Sequence, residues 1–240
     1  MVTKYNIIIA DCPFEFTDRL QMSNTKRGAV DQYPVLSLEN IKNLPLQEVI
    51  AKDALLAFWV PSALLPEGLE IMKKWGFKFK QSFIWVKIKK NPLEKLAKNL
   101  KSQFRKKTLS ANQIDNIINS FSLNESLWFG MGHTFRNTHE ICLIGTRGKI
   151  LSHLRNKSQR SVDLHSLVYR NQVQHSAKPE SLQISLETMF DESLSKLELF
   201  ARRERLGWTC IGNEIEILQP NGQLQTGEDI RESLDRLSKI

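Results

Sequence analysis

Asn6-Ile7-Ile8-Ile9-Ala10, running straight into Asp11-Cys12-Pro13-Phe14, is the stretch on which the reading of this 240-residue chain turns. Four apolar residues between Asn6 and Asp11 describe a strand covered on both faces, because an edge strand would alternate apolar and polar residues. At its end stand a carboxylate, a small residue, a ring that fixes the backbone and an aromatic that looks exposed. Ligands of open α/β sheets bind beyond the carboxyl ends of strands, which is where this turn must lie. The combination suits holding one flat base: Phe14 stacks on its face, Asp11 accepts hydrogen from an exocyclic amine, and Pro13 keeps the two in register. The same tetrapeptide also reads as an ordinary Asx-type turn, since Asp before Pro is common turn punctuation, and taken alone that plainer reading is the stronger.

Working outward, strands are expected at Tyr5–Ala10, Ala54–Val60, Phe79–Lys87, His139–Gly145, Lys196–Phe200 and Trp208–Gly212. Helices are expected at Leu38–Leu44, Pro66–Trp75 and Glu180–Phe190. Apolar strands separated by amphipathic helices imply a sheet covered on both faces, hence a doubly wound α/β domain spanning residues 1–240. The last two strands could pair as a hairpin, but Arg202 to Leu206 is a charged connection and no tight turn. The tail after Gln219 offers a turn at Pro220-Asn221-Gly222 and a short charged helix, with no functional signal.

No apolar run approaches the roughly 20 residues needed to span a bilayer, and Met1 to Ala10 lacks a basic region followed by a long apolar stretch. The expectation is a cytoplasmic protein without membrane association. Cys12, Cys142 and Cys210 are far apart, which argues against a disulfide framework and against a zinc site.

The formal charge of +8 is concentrated. Between Lys73 and Lys107 there are thirteen Lys or Arg residues against a single acid, Glu94, so the remainder of the chain is mildly acidic. Within that stretch, Pro92 to Lys107 reads as a helix with Leu93, Leu96, Leu100 and Phe104 along one seam. Lys95, Lys98, Lys101, Arg105 and Lys106 occupy its other faces. A second helical pattern, Ser110 to Phe121, carries Ile114, Ile117, Ile118 and Phe121 on one side. Together they form a helical hairpin, residues 91–123, inserted into the α/β core. A charge run usually means a solvated face, but a one-sided cluster on an otherwise acidic chain is the expected footprint for a phosphate backbone. Lys26 and Arg27, in a polar loop from Asp18 to Gln32, are placed to close over a nucleotide; an ordinary surface loop is the plainer reading. The apolar seam of the hairpin could also bury against a second copy of the chain, giving a homodimer, or simply pack on the parent domain.

Asp11-Cys12-Pro13-Phe14 resembles the Asp-Pro-Pro-aromatic motif of the MT-A-type adenine-N6 methyltransferases. Further blocks fall in that family's order: Tyr33-Pro34, Ala57-Phe58-Trp59-Val60, Phe83 to Lys87, Asn137 to Gly145, His175 to Glu180, Leu197 to Arg202 and Gly207 to Glu214. Each block is weak; the ordered set, which covers most of the chain, is specific. The resemblance implies a circularly permuted, Rossmann-like methyltransferase core, with the base-holding motif before the cofactor-holding one. It also implies S-adenosylmethionine as cofactor. That fits the missing phosphate cradles: neither G-x-G-x-x-G nor a Walker loop is present. By the same resemblance Lys178, Arg202 and Asn213 fall on positions that bind the cofactor's methionine or ribose portions, and Glu198 and Glu214 belong to the same blocks. Chemically, Glu198 suits ribose hydroxyls, Arg202 suits a carboxylate, Asn213 suits the adenosine, and Lys178 begins a helix. Arg203 and Arg205 read as surface charges, and Glu204 departs from a hydrogen-bond-donating family position.

An adenine amino nitrogen is a poor nucleophile because its lone pair is delocalised into the ring. A site that holds its hydrogens on the Asp11 carboxylate and the Cys12 carbonyl would localise that pair, and alignment supplies much of such catalysis. Cys12 replaces the family's first proline and Phe14 its tryptophan or tyrosine. The short basic chain, with no recognisable RNA module, favours DNA over RNA as the nucleic-acid substrate. A catalytically silent partner subunit is the alternative, and retention of Asp11 speaks against it.

Overall fold

The computed structural model describes residues 4–15, 35–130, 134–155, 157–166, 177–218, 224–225, 227 and 229–239. In chain order the elements begin with β1 (Tyr5–Ala10), α1 (Leu38–Lys42), β2 (Ile50–Val60), α2 (Leu65–Lys74), β3 (Lys78–Ile88), α3 (Glu94–Lys106) and α4 (Ala111–Asn119). They continue with β4 (His139–Arg147), β5 (Val162–Ser166), α5 (Ser181–Met189), β6 (Lys196–Leu199), β7 (Thr209–Ile211), β8 (Ile217–Leu218), β9 (Leu224–Gln225) and α6 (Ile230–Ser238). The fold is mixed α/β.

The chain divides into two compact units. One comprises Met1–Phe83, Ile141–Ser161 and Ser181–Ile240; the other comprises Ile84–Glu140 and Val162–Glu180. Strands β3 and β4 each run from one unit into the other.

In the first unit β1 is the central strand. It pairs in parallel with β2 on one side, Ala10 opposite Phe58, and with β6 on the other, Ala10 opposite Leu199. Beyond β2 lies β4, antiparallel, with Val60 opposite Ile141; beyond β6 lies β7, parallel, with Leu199 opposite Ile211. Burial matches the apolar runs that define these strands: Ile7 to Ala10 are buried, and so is every residue from Ala54 to Val60. The core gathers Ile8, Leu56, Phe58, Ile71 and Trp75, with the Phe58 and Trp75 rings 5.0 Å apart. Helix boundaries follow local chemistry. The Ser37 hydroxyl accepts from the Asn40 N–H to cap α1, and Pro66 sits in the first turn of α2. Gly76, at φ 83°, ends α2 in the left-handed conformation that glycine tolerates.

In the second unit β5 pairs in parallel with β3, Ile84 opposite Val162, and α3 packs on α4. Ser110 and Gln113 form a capping box that starts α4.

Several boundaries differ from the sequence-based expectation. Strand β2 begins at Ile50, four residues earlier than expected, because Lys52 and Asp53 hide its start. Strand β5 is unexpected, since Val162-Asp163-Leu164-His165 alternates without an apolar run. β6 and β7 pair in parallel, although only Phe200 to Trp208 connects them. The tail helix α6 buries Ile230, Leu234 and Leu237 in the main core, so it is a structural element of the first unit.

Phe58 touches both Phe14 and Trp75 and is fully buried. Phe58→Ala should lower stability by about 3–5 kcal/mol, measured by urea denaturation against the wild-type chain. A loss under about 1 kcal/mol would mean that this ring does not anchor the core.

Candidate active site

The chain leaves β1 toward β2 on one flank and extends through β6 to β7 on the other. The line between β1 and β6 is therefore a topological switch point, where open α/β sheets leave a crevice at the carboxyl ends. Strand β1 delivers Asp11 to that edge, β6 delivers Phe200 to Arg202, and β7 delivers Gly212 to Glu214.

The turn after β1 is tied down along its backbone. Asp11 N–H donates to the Leu199 carbonyl at 3.4 Å, Phe14 N–H to the Cys12 carbonyl at 3.0 Å, and Leu36 N–H to the Pro13 carbonyl at 2.8 Å. One lone pair of the Cys12 carbonyl is thus occupied within the turn, and one remains. The Cys12 thiol is buried, and burial, with the Asp11 charge adding, pushes its pKa well above the ordinary thiol value. It stays protonated at neutral pH and is no nucleophile.

Phe14 differs from the expectation of an exposed stacking ring. It is only 4 % exposed and lies 5.8 Å from the Phe58 ring, so it anchors the turn to the core. A strand end can aim an aromatic at either solvent or core, and the tetrapeptide does not say which.

Glu198 lies one residue before the end of β6 and is half-buried. Gln183 of α5 donates its amide to Glu198 Oε2 at 3.2 Å. Burial raises the Glu198 pKa; the Gln183 hydrogen bond opposes the rise, and the nearby Asp11 charge adds to it. The other end of the same amide, Gln183 Oε1, is buried without a hydrogen-bond partner among the described residues. An unsatisfied acceptor beside a carboxylate is the complement of a pair of hydroxyl donors.

Phe200, at φ 60°, takes a left-handed conformation that non-glycine residues avoid at about 1–3 kcal/mol. The fold holds it by closing the neighbouring backbone: Ala201 N–H donates to the Ile211 carbonyl at 2.9 Å. A Cβ on Gly212 would sit 2.2 Å from the Ala201 carbonyl oxygen, so glycine is required there. Arg202 Nε approaches Glu214 Oε1 at 4.0 Å, and Asn213 is exposed. Arg205, expected as a surface charge, is a strut instead. Its Nε and Nη2 each donate to the Glu187 carboxylate at 2.8 Å, and Trp208 Nε1 donates to Glu187 Oε1 at 2.6 Å. The Arg205 hydrogen bond, with Trp208 aiding and burial opposing, holds the Glu187 pKa below the usual carboxylate value. Eighteen residues separate the partners, so no sequence periodicity could have paired them.

Lys178 belongs to the second unit. Its ammonium lies 3.1 Å from Glu140 Oε2, while Lys87 Nζ lies 2.6 Å from Glu140 Oε1 and 5.1 Å from the Trp85 ring centroid. Burial alone would raise the Glu140 pKa; the Lys178 and Lys87 charges outweigh it and keep the carboxyl below its usual range. Glu140 and Lys87 lie in the motif blocks Asn137 to Gly145 and Phe83 to Lys87, yet nothing in the sequence joins them to Lys178.

Lys98, Lys101, Arg105 and Lys106 are exposed on α3, where Lys98 pairs with Glu94 at 2.6 Å. The seam of the hairpin is only partly covered: no residue of α3 or α4 is buried, Leu96 and Leu100 are half-buried, and Leu93 and Phe104 are 53 % and 51 % exposed. Lys26 and Arg27 lie outside the described residues, as do Tyr33-Pro34 and His175. No helix among the described residues is long and apolar enough to cross a membrane.

The MT-A70 family profile matches residues 5–114 and 118–214, which takes in every strand and loop of this edge. The chain belongs to the MT-A70 family. It is 24 % identical over 227 residues to the type II methyltransferase M.MunI of Mycoplasma sp, covering 88 % of this chain and 78 % of that protein. It is 24 % identical over 213 residues to the N(6)-adenosine-methyltransferase MT-A70-like protein of Arabidopsis thaliana, covering 88 % of this chain and 24 % of that protein. It is also 29 % identical over 90 residues to the N6-adenosine-methyltransferase non-catalytic subunit MTB of Arabidopsis thaliana, covering 37 % of this chain and 11 % of that protein.

The Glu140 cluster gives a test by linkage. A carboxylate whose folded pKa is depressed stabilises the fold above its unfolded pKa, about 4.3, and its contribution fades as pH falls through the folded value. The stability difference between wild type and Glu140→Gln should be constant from pH 7 to about 5 and shrink below that, by chemical denaturation at each pH. A difference that grows on acidification would contradict the ion triad.

Proposed function

We propose that this chain transfers a methyl group from S-adenosylmethionine to the N6 amine of adenine in nucleic acid, with DNA preferred to RNA. The observation that carries the reading is the Asp11 carboxylate at the β1–β6 switch point, two strand positions from the Glu198–Gln183 acceptor pair, in a chain of the MT-A70 family.

The donor set fits the cofactor. Glu198 and Gln183 Oε1 together accept from the two ribose hydroxyls, Arg202 supplies a cation for the amino-acid carboxylate, and Asn213 offers an amide to the adenosine. Lys178 is assigned to the cofactor by the family resemblance alone; within its own unit it pairs with Glu140. Glu214 holds Arg202 in the loop. When bound, S-adenosylmethionine supplies an electrophilic sulfonium methyl group. The chain's own task is to present the adenine amine. Asp11 accepts one amine hydrogen and the remaining lone pair of the Cys12 carbonyl accepts the other, which turns the nitrogen lone pair out of the ring plane. The amine proton leaves after transfer, when the nitrogen is cationic and acidic, so no strong base is needed. The burial of Phe14 gives it a supporting role: it fixes the angle at which the turn leaves the core. Pro13 completes the turn without offering a competing N–H.

The preference for DNA rests on the basic segment and on the similarity that runs along 78 % of a type II methyltransferase. Residues 91–123 then act as a substrate-binding element, with Lys98, Lys101, Arg105 and Lys106 against phosphates; Lys26 and Arg27 are assigned to the same role. A silent-subunit reading is favoured by one observation, the match to a protein named a non-catalytic subunit.

Asp11→Ala should lower turnover at least about 100-fold, while S-adenosylmethionine affinity by calorimetry stays within a few-fold. Near-normal turnover in that variant would remove the assignment. Failure of the wild-type chain to bind the cofactor would favour the silent subunit. Reversing Lys98, Lys101, Arg105 and Lys106 to Glu should weaken duplex binding and flatten its dependence on log salt by about 0.9 for each phosphate no longer neutralised. An unchanged slope, with a changed sedimentation coefficient on polar replacement of Leu93 and Phe104, would instead make the hairpin a dimer contact.

A further inference from the structure

We propose that Phe129, Phe135 and Arg136 form a stacking platform for unpaired nucleobases, built on the root of the basic hairpin. The proposal rests on the nucleic-acid substrate assigned above and adds a preference for single strands.

Phe129 is 72 % exposed and Phe135 is 89 % exposed, so two large rings within seven positions are left in water. A lone exposed ring is ordinary. Here the Arg136 guanidinium lies 5.0 Å from the Phe129 ring centroid, which adds a second flat, stackable group carrying positive charge.

The backbone on both sides of Phe129, and at Asn137 and Thr138 just after Arg136, is hydrogen-bonded. Trp128 N–H donates to the Lys87 carbonyl at 2.8 Å, and Lys87 N–H donates to the Thr138 carbonyl at 2.7 Å. Gly130 N–H donates to the Asn137 carbonyl at 3.2 Å, and a Cβ on Gly130 would meet that carbonyl oxygen at 2.4 Å. Both arms carrying the rings are therefore fastened to β3 and to each other at their bases. Pre-organised aromatic groups bind at a lower entropic cost than mobile ones.

The same backbone leads directly into the basic helix. Lys89 N–H donates to the Ser126 carbonyl at 2.9 Å, the Ser126 hydroxyl donates to the Pro92 carbonyl at 2.8 Å, and Lys95 pairs with Glu125 at 2.7 Å. From residue 84 to residue 140 there are ten Lys or Arg residues and four acids. Flat apolar faces set in a cationic surface match a polyanion that carries flat apolar groups. Single-stranded nucleic acid has both; a duplex hides its base faces in the stack. A second copy of this chain is a poorer occupant, because a two-fold contact would set this positive surface against itself. Phenylalanine has no hydrogen-bonding group, so the two rings hold bases without reading their identity or their sugar.

The test uses the full chain with Phe129→Ala and Phe135→Ala combined, a change at exposed positions that leaves the core intact. Fluorescence anisotropy follows binding to labelled single-stranded DNA, single-stranded RNA of the same sequence, and the corresponding DNA duplex, each over a salt series. The double variant should bind both single strands on the order of 10- to 100-fold more weakly. Its salt slope, its cofactor binding and its sedimentation coefficient should match wild type, and its duplex affinity should change much less. Unchanged single-strand affinity would overturn the platform, as would an equal loss on the duplex. A shift in sedimentation would overturn it in favour of a contact between copies. Methylation of sub-saturating single strand by the double variant at the wild-type rate would sink the platform and leave the methyltransferase reading. Ring-dependent binding without methylation of any strand would do the reverse.

Discussion

The register that sets Ala10 beside Phe58 on one flank and beside Leu199 on the other governs the rest of the site. Because Ile7 to Ala10 are buried on both faces, β1 must be an interior strand, and an interior parallel strand must end at the carboxyl edge. Asp11 is the first residue past that edge, and its N–H is still bound to the Leu199 carbonyl. One constraint, burial of four apolar residues, thereby fixes the carboxylate at the switch point. The Phe14–Phe58 contact and the Pro13–Leu36 hydrogen bond then stop the turn from swinging.

Charge is handled in opposite ways across the molecule. Glu198 is half-buried with an amide for company, and its proton affinity rises. Glu140 and Glu187 are held by cations, and theirs falls. Both of these carboxylates are structural ties, one linking Lys87 of β3 to Lys178, the other bracing the loop between β6 and β7. Glu198 instead stands next to an acceptor, Gln183 Oε1, that is left unsatisfied among the described residues.

Much of this arrangement is legible in the sequence because it depends on apolar runs. β1, the later part of β2 and β4 announce themselves that way, β6 shows itself by the alternation Lys196-Leu197-Glu198-Leu199, and Asp11, Arg202 and Asn213 stand just beyond strand ends, while Glu214 comes from the family resemblance. Two kinds of feature are hidden. Pairings between distant polar residues, such as Arg205 with Glu187 or Lys178 with Glu140, have no periodicity to betray them. The direction a side chain takes at an element's end is also unreadable: Phe14 turns inward, while Leu93 and Phe104, the two ends of the apolar seam, stay half-exposed. Strand β5 escapes notice because Val162-Asp163-Leu164-His165 alternates over only four residues and contains no apolar run.

The measurement that bears most directly on the central claim is mass-spectrometric identification of modified nucleosides. Adenine-containing DNA and RNA oligonucleotides would be incubated with the wild-type chain and S-adenosylmethionine carrying an isotopically labelled methyl group, then digested. The account predicts labelled N6-methyladenine nucleoside, with more from DNA than from RNA. A chain that binds both cofactor and nucleic acid yet leaves no labelled nucleoside, or that labels cytosine instead, would contradict it.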